Sequence, residues 1–250
     1  MRRTSPFAIA LTFSAIVLAT GCAPLQAPPS SAAAALQGVA EAPLTAAQRQ
    51  QWLDRVTWGA NDSEDARLQR LGLKAWLVRQ LQPGPQPLPA QAQQRIDGLG
   101  ISQRPMDQVL LELGDQRKAV QEAASADEKA ARQQAYQRTL NQLGSDAQKR
   151  FVIRALYSPA QLQEQMTWFW MNHFSVSLRK ADIRAWVGDY EEQAIRPHAL
   201  GSFRSLLEAS LRHPAMLRYL DNASNAAGRI NENYARELLE LHTMGVGSGY

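Results

Sequence analysis

The chain has a single cysteine, Cys22, among its 250 residues. One cysteine excludes a disulfide bond within the chain and any metal site built from several thiolates. The chain also lacks a strong excess of charge, because 27 Lys and Arg stand against 23 Asp and Glu. If a leader containing Arg2 and Arg3 is removed, 25 basic residues remain against 23 acidic ones. This balance gives no electrostatic reason to expect nucleic acid as a partner.

Common catalytic and structural signatures are missing as well. The sequence has no GxSxG nucleophile elbow, no GxGxxG fingerprint, no P-loop and no HExxH metal motif. Alternation of apolar and polar residues never extends beyond about five residues, so β-strands are not predicted. With 45% hydrophobic residues the chain can still build a sizeable core. We therefore predict an all-α fold, an irregular domain of many short helices.

The N-terminus has the pattern of an export signal. The basic "MRR" precedes an apolar run from Pro6 to Thr20, which is short for a bilayer span of about 20 residues. The run ends in "LATGCAP", which resembles the lipobox of bacterial lipoproteins, where cleavage precedes a cysteine that is then lipidated. Lipidated Cys22 would anchor the chain to a membrane surface. The alternative is an ordinary signal peptide with an incidental cysteine.

Three segments follow from this interpretation. Residues 1–21 are a lipoprotein signal peptide, the Pro-, Ala- and Ser-rich residues 22–43 are a flexible tether, and residues 44–250 are a helical domain. Ala23 rather than Asp follows the cysteine, which is typical of sorting to the outer membrane. We expect a cell-envelope protein on the periplasmic face of the outer membrane of a Gram-negative bacterium, with protein partners that the sequence does not name.

Several helices can be placed from local signals. Thr45 and Gln48 form a capping-box pattern before the first helix. "DSEDARLQRLG" has an acidic first turn and a glycine stop, "LKAWLVRQLQP" ends at Pro83, and the composition between Met106 and Leu143 favours long helices. The chain ends on "GVGSGY" directly after a strong helix, so we expect the domain to be incomplete at its C-terminus.

Two histidines occupy apolar helix faces. At about 100° per residue, His242 in "NENYARELLELHTMG" shares a face with Tyr234, Leu238 and Leu241. In "LQEQMTWFWMNHF", His173 is placed on the same side as four apolar residues, namely Leu162, Met166, Phe169 and Trp170. Both imidazoles should therefore point inward, where each needs a hydrogen-bond partner.

Two interpretations remain open for this pair. Each imidazole is either a neutral core residue bonded to a carbonyl or an amide, or part of one polar pocket. In the second case His173, His242 and Glu237, with Glu232 as an alternative carboxylate, would be catalytic residues or metal ligands. A shared site predicts imidazoles within bridging distance, whereas separate structural roles predict that they lie far apart. Apart from this metal hypothesis, the sequence leaves the cofactor unknown.

Other candidates favour structural roles. His198 follows Pro197 at a helix start, and His213 precedes Pro214 between two helices. Glu192 and Arg196 have the spacing of a surface ion pair. Most of the aromatic set in this region should be buried, namely Trp168, Phe169, Trp170 and Phe174.

Four segments together resemble a bacterial family catalogued as domain of unknown function 1800. They are "RVTWGANDSEDARLQRLGLKAWLVRQLQP", "ALYSPAQLQEQMTWFWMNHFSVS", "VGDYEEQAIRPHALGSFRSLLEASLRHPAMLRYLDN" and "INENYARELLELHTMGV". The resemblance implies an exported, largely helical protein whose N-terminal half is present here. The family carries no established biochemical role. A binding or assembly lipoprotein of the envelope and an envelope-anchored hydrolase both remain as hypotheses.

Overall fold

The computed structural model describes residues 36, 38–39, 42–82 and 86–247. The predicted signal peptide, Cys22 and most of the predicted tether lie outside the described residues. Pro83, the expected stop of the third helix, also lies outside them.

The regular secondary structure of the described residues consists of helices; these residues contain no β-strand, only an isolated bridge between Ala226 and Arg229. This confirms the predicted all-α class. The α-helices are α1 (Ala46–Val56), α2 (Asp62–Leu71), α3 (Leu73–Leu81), α4 (Ala90–Asp97), α5 (Gly100–Gln103), α6 (Met106–Gln121), α7 (Ala126–Tyr157), α8 (Gln161–His173), α9 (Ile183–Asp189), α10 (Phe203–Arg212), α11 (Pro214–Tyr219) and α12 (Asn233–Glu237). Two π-helices, Tyr190–Ile195 and Leu238–Thr243, continue α9 and α12, and short 3-10 helices cover Arg196–His198 and Asn222–Ser224.

The first helix begins at its predicted capping box, and the second begins and ends where its acidic first turn and glycine stop predict. Thr45 caps α1 in a complete capping box with Gln48, and Asn61 accepts the amide of Glu64 at the start of α2. Gly72 joins α2 to α3 with a positive φ of 75°, a conformation that costs glycine little. These signals are local, so they are readable without knowledge of the tertiary structure.

The three N-terminal helices enclose their own small core. Trp76 is completely buried there with Leu53 and Leu68, and its indole Nε1 donates to Glu64 over 3.2 Å. Two buried glutamines connect this unit to the rest of the protein. Gln80 donates to the carbonyl of Pro159 and accepts the amide of Leu162, while Gln161 accepts the amide of Trp58.

The larger core is organised around α7, which is 32 residues long. Helices α6 and α9 pack against it, and the main hydrophobic cluster also includes Phe174, Tyr190, Leu206 and Met216. Gly188 permits the closest approach of α9, because a Cβ there would lie 3.2 Å from both Ala147 Cβ and Arg150 Nη2. This approach brings acidic residues of the following π-helix beside the basic residues of α7.

Helix α8 buries a different face from the one predicted. Its fully enclosed side chains are Gln161, Glu164 and Thr167, whereas Phe169, expected on the buried face, is 52% exposed. The predicted buried face was wrong here because the charge of the buried Glu164 is paired with Arg196. A helical wheel of α8 does not include this partner from outside the helix. The aromatic set is likewise only partly buried: Phe174 is enclosed and Trp170 half-buried, but Trp168 is 48% exposed.

Trp168 forms a surface cluster with Trp58 and Phe151, with its ring centroid 5.1 Å from that of Phe151 and 6.5 Å from that of Trp58.

Among the helices that the structure describes, none combines the length and the apolar character that crossing a membrane requires.

Candidate functional site

The two histidines selected from the sequence come together in the structure. His173 is the last residue of α8, and His242 lies in the π-helix that follows α12. Their ring centroids are 6.0 Å apart. The expectation that two structural histidines would lie far apart is therefore wrong, whereas the predicted inward orientation holds, because His242 is 5% exposed and His173 half-buried.

The pair is held by two reciprocal hydrogen bonds. His173 Nε2 donates to the backbone carbonyl of His242, and His242 Nδ1 donates to the backbone carbonyl of His173, both over 3.1 Å. A carbonyl oxygen can only accept, so each bonded nitrogen must carry its hydrogen. In the neutral rings this fixes opposite tautomers and leaves His173 Nδ1 and His242 Nε2 without a proton. We call His173 and His242 the histidine pair.

Aromatic side chains enclose the histidine pair. The Phe174 ring lies 4.7 Å from the His173 ring and 5.3 Å from the His242 ring, measured between centroids. Trp170 and Phe203 approach His173 at 5.6 Å and 6.4 Å. This apolar surrounding favours a neutral His242, since an imidazolium would lose its hydration there.

Burial lowers the pKa of His242 below its ordinary value, and the neighbouring His173 lowers it further. The hydrogen bond to the His173 backbone and the negative charge of Glu237 act in the opposite direction, but burial is the largest effect. His242 is therefore a neutral imidazole in the folded protein at neutral pH.

Glu237, the carboxylate expected beside the histidines, has a partner on its own helix. Glu237 accepts a hydrogen bond from Arg236 over 2.7 Å, and Glu240 accepts another from Arg236 over 2.7 Å. Glu232 is exposed at the N-terminus of α12. The structure thus brings His173 and His242 together and places Glu237 close enough to influence the pKa of His242, without a hydrogen bond between them among those described.

The metal hypothesis has a limited geometric basis. Within the described ranges, no three His, Cys, Asp or Glu side chains are grouped so that they could hold a metal ion. The two unprotonated ring nitrogens are the atoms that a cation would use. A metal at His173, Glu237 and His242 stays a prediction.

The helical wheel failed for Leu241, which shares the predicted apolar face with His242 but is 56% exposed. The wheel assumes α-helical geometry, whereas residues from Leu238 onward form a π-helix with i→i+5 hydrogen bonds. The amide of Met244 donates to the carbonyl of Leu239 over 2.7 Å, in this longer pattern. Each residue after Leu238 is consequently rotated relative to the α-helical expectation.

A second cluster of charged residues was missed by the sequence analysis. Glu192 does not form the predicted surface pair with Arg196; both its oxygens accept from Arg154, one over 2.8 Å. Arg196 instead makes two hydrogen bonds to buried Glu164, over 2.6 and 3.2 Å. These partners come from different helices, so nothing in the local spacing could have identified them.

The cluster extends to a histidine and a buried glutamate. His213 Nδ1 accepts the amide of Ala215, so its Nε2 donates to Asp189 over 3.0 Å. His213, expected between two helices, thus ends α10 and caps the start of α11. Glu191 is 4% exposed, and its pKa is raised to about 7. Burial is the largest cause; Glu192 and Glu164 act in the same direction, and Arg150 and Arg154 oppose them.

The raised pKa of Glu191 predicts a specific pH dependence of stability. The unfolded carboxyl ionises near its ordinary value of 4.5 and the folded one near 7, so the unfolded state holds fewer protons between these values. Stability should be greatest below pH 4.5 for this group and fall as pH rises through 7, by on the order of 3 kcal/mol. Glu191→Gln should remove this loss, measured by urea unfolding of both proteins at pH 5 and pH 8.

Exposed Glu208→Gln serves as the matched control for that experiment, because Glu208 lies on the surface of α10. Between pH 5 and pH 8 the unfolding free energy of Glu191→Gln should rise relative to that of wild type. Parallel pH profiles for wild type and Glu191→Gln would show that Glu191 is not held in a desolvated site.

The fold and site together define an all-α domain whose interior contains paired histidines and a separate cluster of compensated charges. The sequence model of the family described as protein of unknown function (DUF1800) matches residues 51–250. The chain therefore belongs to this family. No curated protein and no solved structure shows a match to it.

Proposed function

We propose that this chain is an exported, lipid-anchored binding or assembly protein of the cell envelope, in which the histidine pair has a structural role. The observation that supports the structural role most directly is the reciprocal hydrogen bonding of the pair, because each imidazole donates an N–H to the backbone carbonyl of the other residue. Two hydrogen bonds of this kind join the π-helix Leu238–Thr243 to α8, 69 residues away in sequence.

The export part of the proposal rests on the N-terminal sequence. The basic start, the apolar run and the "LATGCAP" segment favour lipidation at Cys22, and the Pro- and Ala-rich tether would separate the domain from the membrane. The binding part rests on the exposed aromatic surface, since Trp58 and Trp168 are 42% and 48% exposed. Large aromatic side chains on a surface are typical of protein interfaces.

The second candidate is an envelope-anchored hydrolase with His173, His242 and Glu237 as its site. One observation favours it: the two unbonded ring nitrogens belong to rings with centroids 6.0 Å apart, and Glu237 raises the pKa of His242 electrostatically. In this alternative His242 Nε2 would accept a proton from water, with or without a metal ion at the same residues.

His242→Ala distinguishes the two functions. A structural pair predicts a loss of about 1–3 kcal/mol in unfolding free energy, because the carbonyl of His173 loses its donor and Phe174 loses a contact. It also predicts that wild type hydrolyses a panel of p-nitrophenyl esters no faster than buffer does. His198→Ala, at a half-buried histidine outside the pair, should leave stability nearly unchanged.

Turnover by wild type that disappears in folded His242→Ala, with His198→Ala unaffected, would contradict the structural role and support the hydrolase. Thermal unfolding monitored by circular dichroism establishes that the variant is folded in the same preparation.

A further inference from the structure

An exposed apolar strip on α7 extends the surface cluster of Trp58, Phe151 and Trp168. Val152 and Leu156 lie one helical turn apart on this helix and are 50% and 66% exposed. Val152 directly follows Phe151, whose ring centroid lies 5.9 Å from that of Trp58 and 5.1 Å from that of Trp168. We call these five residues, Trp58, Phe151, Val152, Leu156 and Trp168, the aromatic patch. A group of exposed large apolar side chains marks a surface that contacts a protein partner or a membrane.

The backbone that carries Trp58 is held in place although its indole is exposed. Gln161, which is buried, accepts the amide of Trp58 over 3.1 Å and donates to the carbonyl of Ala155 over 2.9 Å. Gln165, one turn further along α8, donates to the carbonyl of Thr57. These contacts fix the Trp58 backbone to α7 and α8. The exposure of the indole is therefore a property of the fold and not of a loose loop.

The two tryptophans of the aromatic patch keep a polar atom free. Among the described residues, neither Trp58 nor Trp168 has a hydrogen-bond partner for its indole Nε1, whereas the indoles of Trp76 and Trp170 both donate within the protein. A ring with an apolar body and an unpaired N–H suits the boundary of a bilayer. The ring contacts acyl chains there, and the N–H meets the oxygens of the headgroups.

The chain that leads to Cys22 leaves the domain from the unit that carries Trp58. Leu36 packs against the small N-terminal core, which includes Leu53 and Val56 of α1, and Trp58 follows two residues after Val56. Cys22 precedes Leu36 by 14 residues, so the connecting chain reaches at most about 50 Å. A lipid on Cys22 would hold this unit within that distance of the membrane surface.

We propose that the aromatic patch lies in the headgroup region of the membrane that holds the lipid anchor, with the phospholipid bilayer as its partner. The inference rests on the proposed lipidation of Cys22 and names the partner of the exposed aromatic surface. The anchor favours the bilayer over a protein partner, because it keeps phospholipid permanently at high local concentration beside this unit. The tether alone leaves the domain free to rotate, and a second contact through the patch fixes which side faces the bilayer.

The test uses the intact lipidated protein in vesicles of phosphatidylethanolamine and phosphatidylglycerol, with the fluorophore NBD as a thiol-linked probe. A lipidated Cys22 has no free thiol and the chain has no other cysteine, so Leu156→Cys provides one labelling position. NBD at this position should lose most of its emission when the vesicles contain phospholipid with a doxyl quencher near the headgroup. Ile230→Cys is the matched control, because Ile230 is 80% exposed and lies outside the patch, and its NBD emission should not change.

Two charged variants, each combined with Leu156→Cys, identify the patch as the contact. Val152→Asp places a carboxylate within the patch, and it should remove most of the quenching because a charge resists transfer from water to lipid. Leu241→Asp places the same charge outside the patch and should leave the quenching unchanged. Val152 and Leu241 are 50% and 56% exposed, so both variants should fold.

The outcomes separate this inference from the lipid anchor. NBD labelling of the wild-type chain would show a free thiol at Cys22, which removes the anchor and this inference with it. With wild type unlabelled, equal quenching at Leu156→Cys and Ile230→Cys, or quenching that survives Val152→Asp, would overturn the inference and leave the anchor intact. Blue-shifted NBD emission that doxyl lipid does not quench would place a protein or a second copy on the patch, which also overturns it.

Discussion

Arg196→Ala is expected to lower the free energy of unfolding by about 3–5 kcal/mol, a large share of the stability of an ordinary domain. Its partner Glu164 is completely buried and accepts two hydrogen bonds from the Arg196 guanidinium. Removing the arginine leaves a carboxylate in the interior with neither water nor a counter-charge. Urea unfolding at pH 7 measures the loss.

The matched control for this variant is Arg204→Ala. Arg204 also pairs with a glutamate, Glu208, but their side chains are 87% and 52% exposed. Water replaces the lost interaction there, so the expected change is below about 1 kcal/mol. Adding Glu164→Gln to Arg196→Ala should recover part of the loss. A loss for Arg196→Ala no larger than that for Arg204→Ala would contradict the assignment of this pair as buried.

Cys22→Ser is expected to abolish incorporation of an alkyne-labelled fatty acid into the protein completely, because serine offers no thiol for acylation. Wild type should incorporate the label and remain in the outer-membrane fraction after a high-salt wash. In-gel detection of the label, together with sucrose-gradient fractionation, measures both properties. If wild type takes up no label, Cys22 is incidental and the N-terminus is an ordinary signal peptide.

Ala23→Asp is the matched variant for the sorting expectation, since it keeps the cysteine and changes only the residue after it. It should still incorporate the fatty acid but move from the outer-membrane to the inner-membrane fraction. Unchanged fractionation would remove the prediction of outer-membrane sorting while leaving lipidation intact.

The features predicted correctly from the sequence are those determined by neighbouring residues. The capping box at Thr45, the acidic first turn of α2 and the glycine stop at Gly72 each depend on a few consecutive residues. The all-α class followed from the absence of strand patterns, and His242 was placed inward because its helix has a dominant apolar side. All these inferences use local geometry alone.

The features that could not be predicted depend on distant partners or on departures from α-helical geometry. Glu164 can be buried on α8 because Arg196, which follows the π-helix Tyr190–Ile195, pairs with it. Glu192 pairs with Arg154 on α7, although Arg196 is closer to it in sequence. Leu241 becomes exposed because Leu238–Thr243 is a π-helix. The helix periodicity predicted that both imidazoles point inward. It did not predict that each imidazole bonds the backbone of the other histidine.

The reciprocal hydrogen bonds of the histidine pair are tested most directly by long-range ¹H–¹⁵N NMR of the imidazole rings at neutral pH. The structure predicts that His173 carries a proton on Nε2 and that a neutral His242 carries its proton on Nδ1, both unchanged when Zn²⁺ is added in slight excess. A proton on Nε2 of His242, or ring shifts that accompany stoichiometric uptake of zinc, would contradict the structural role and favour a metal site at these residues.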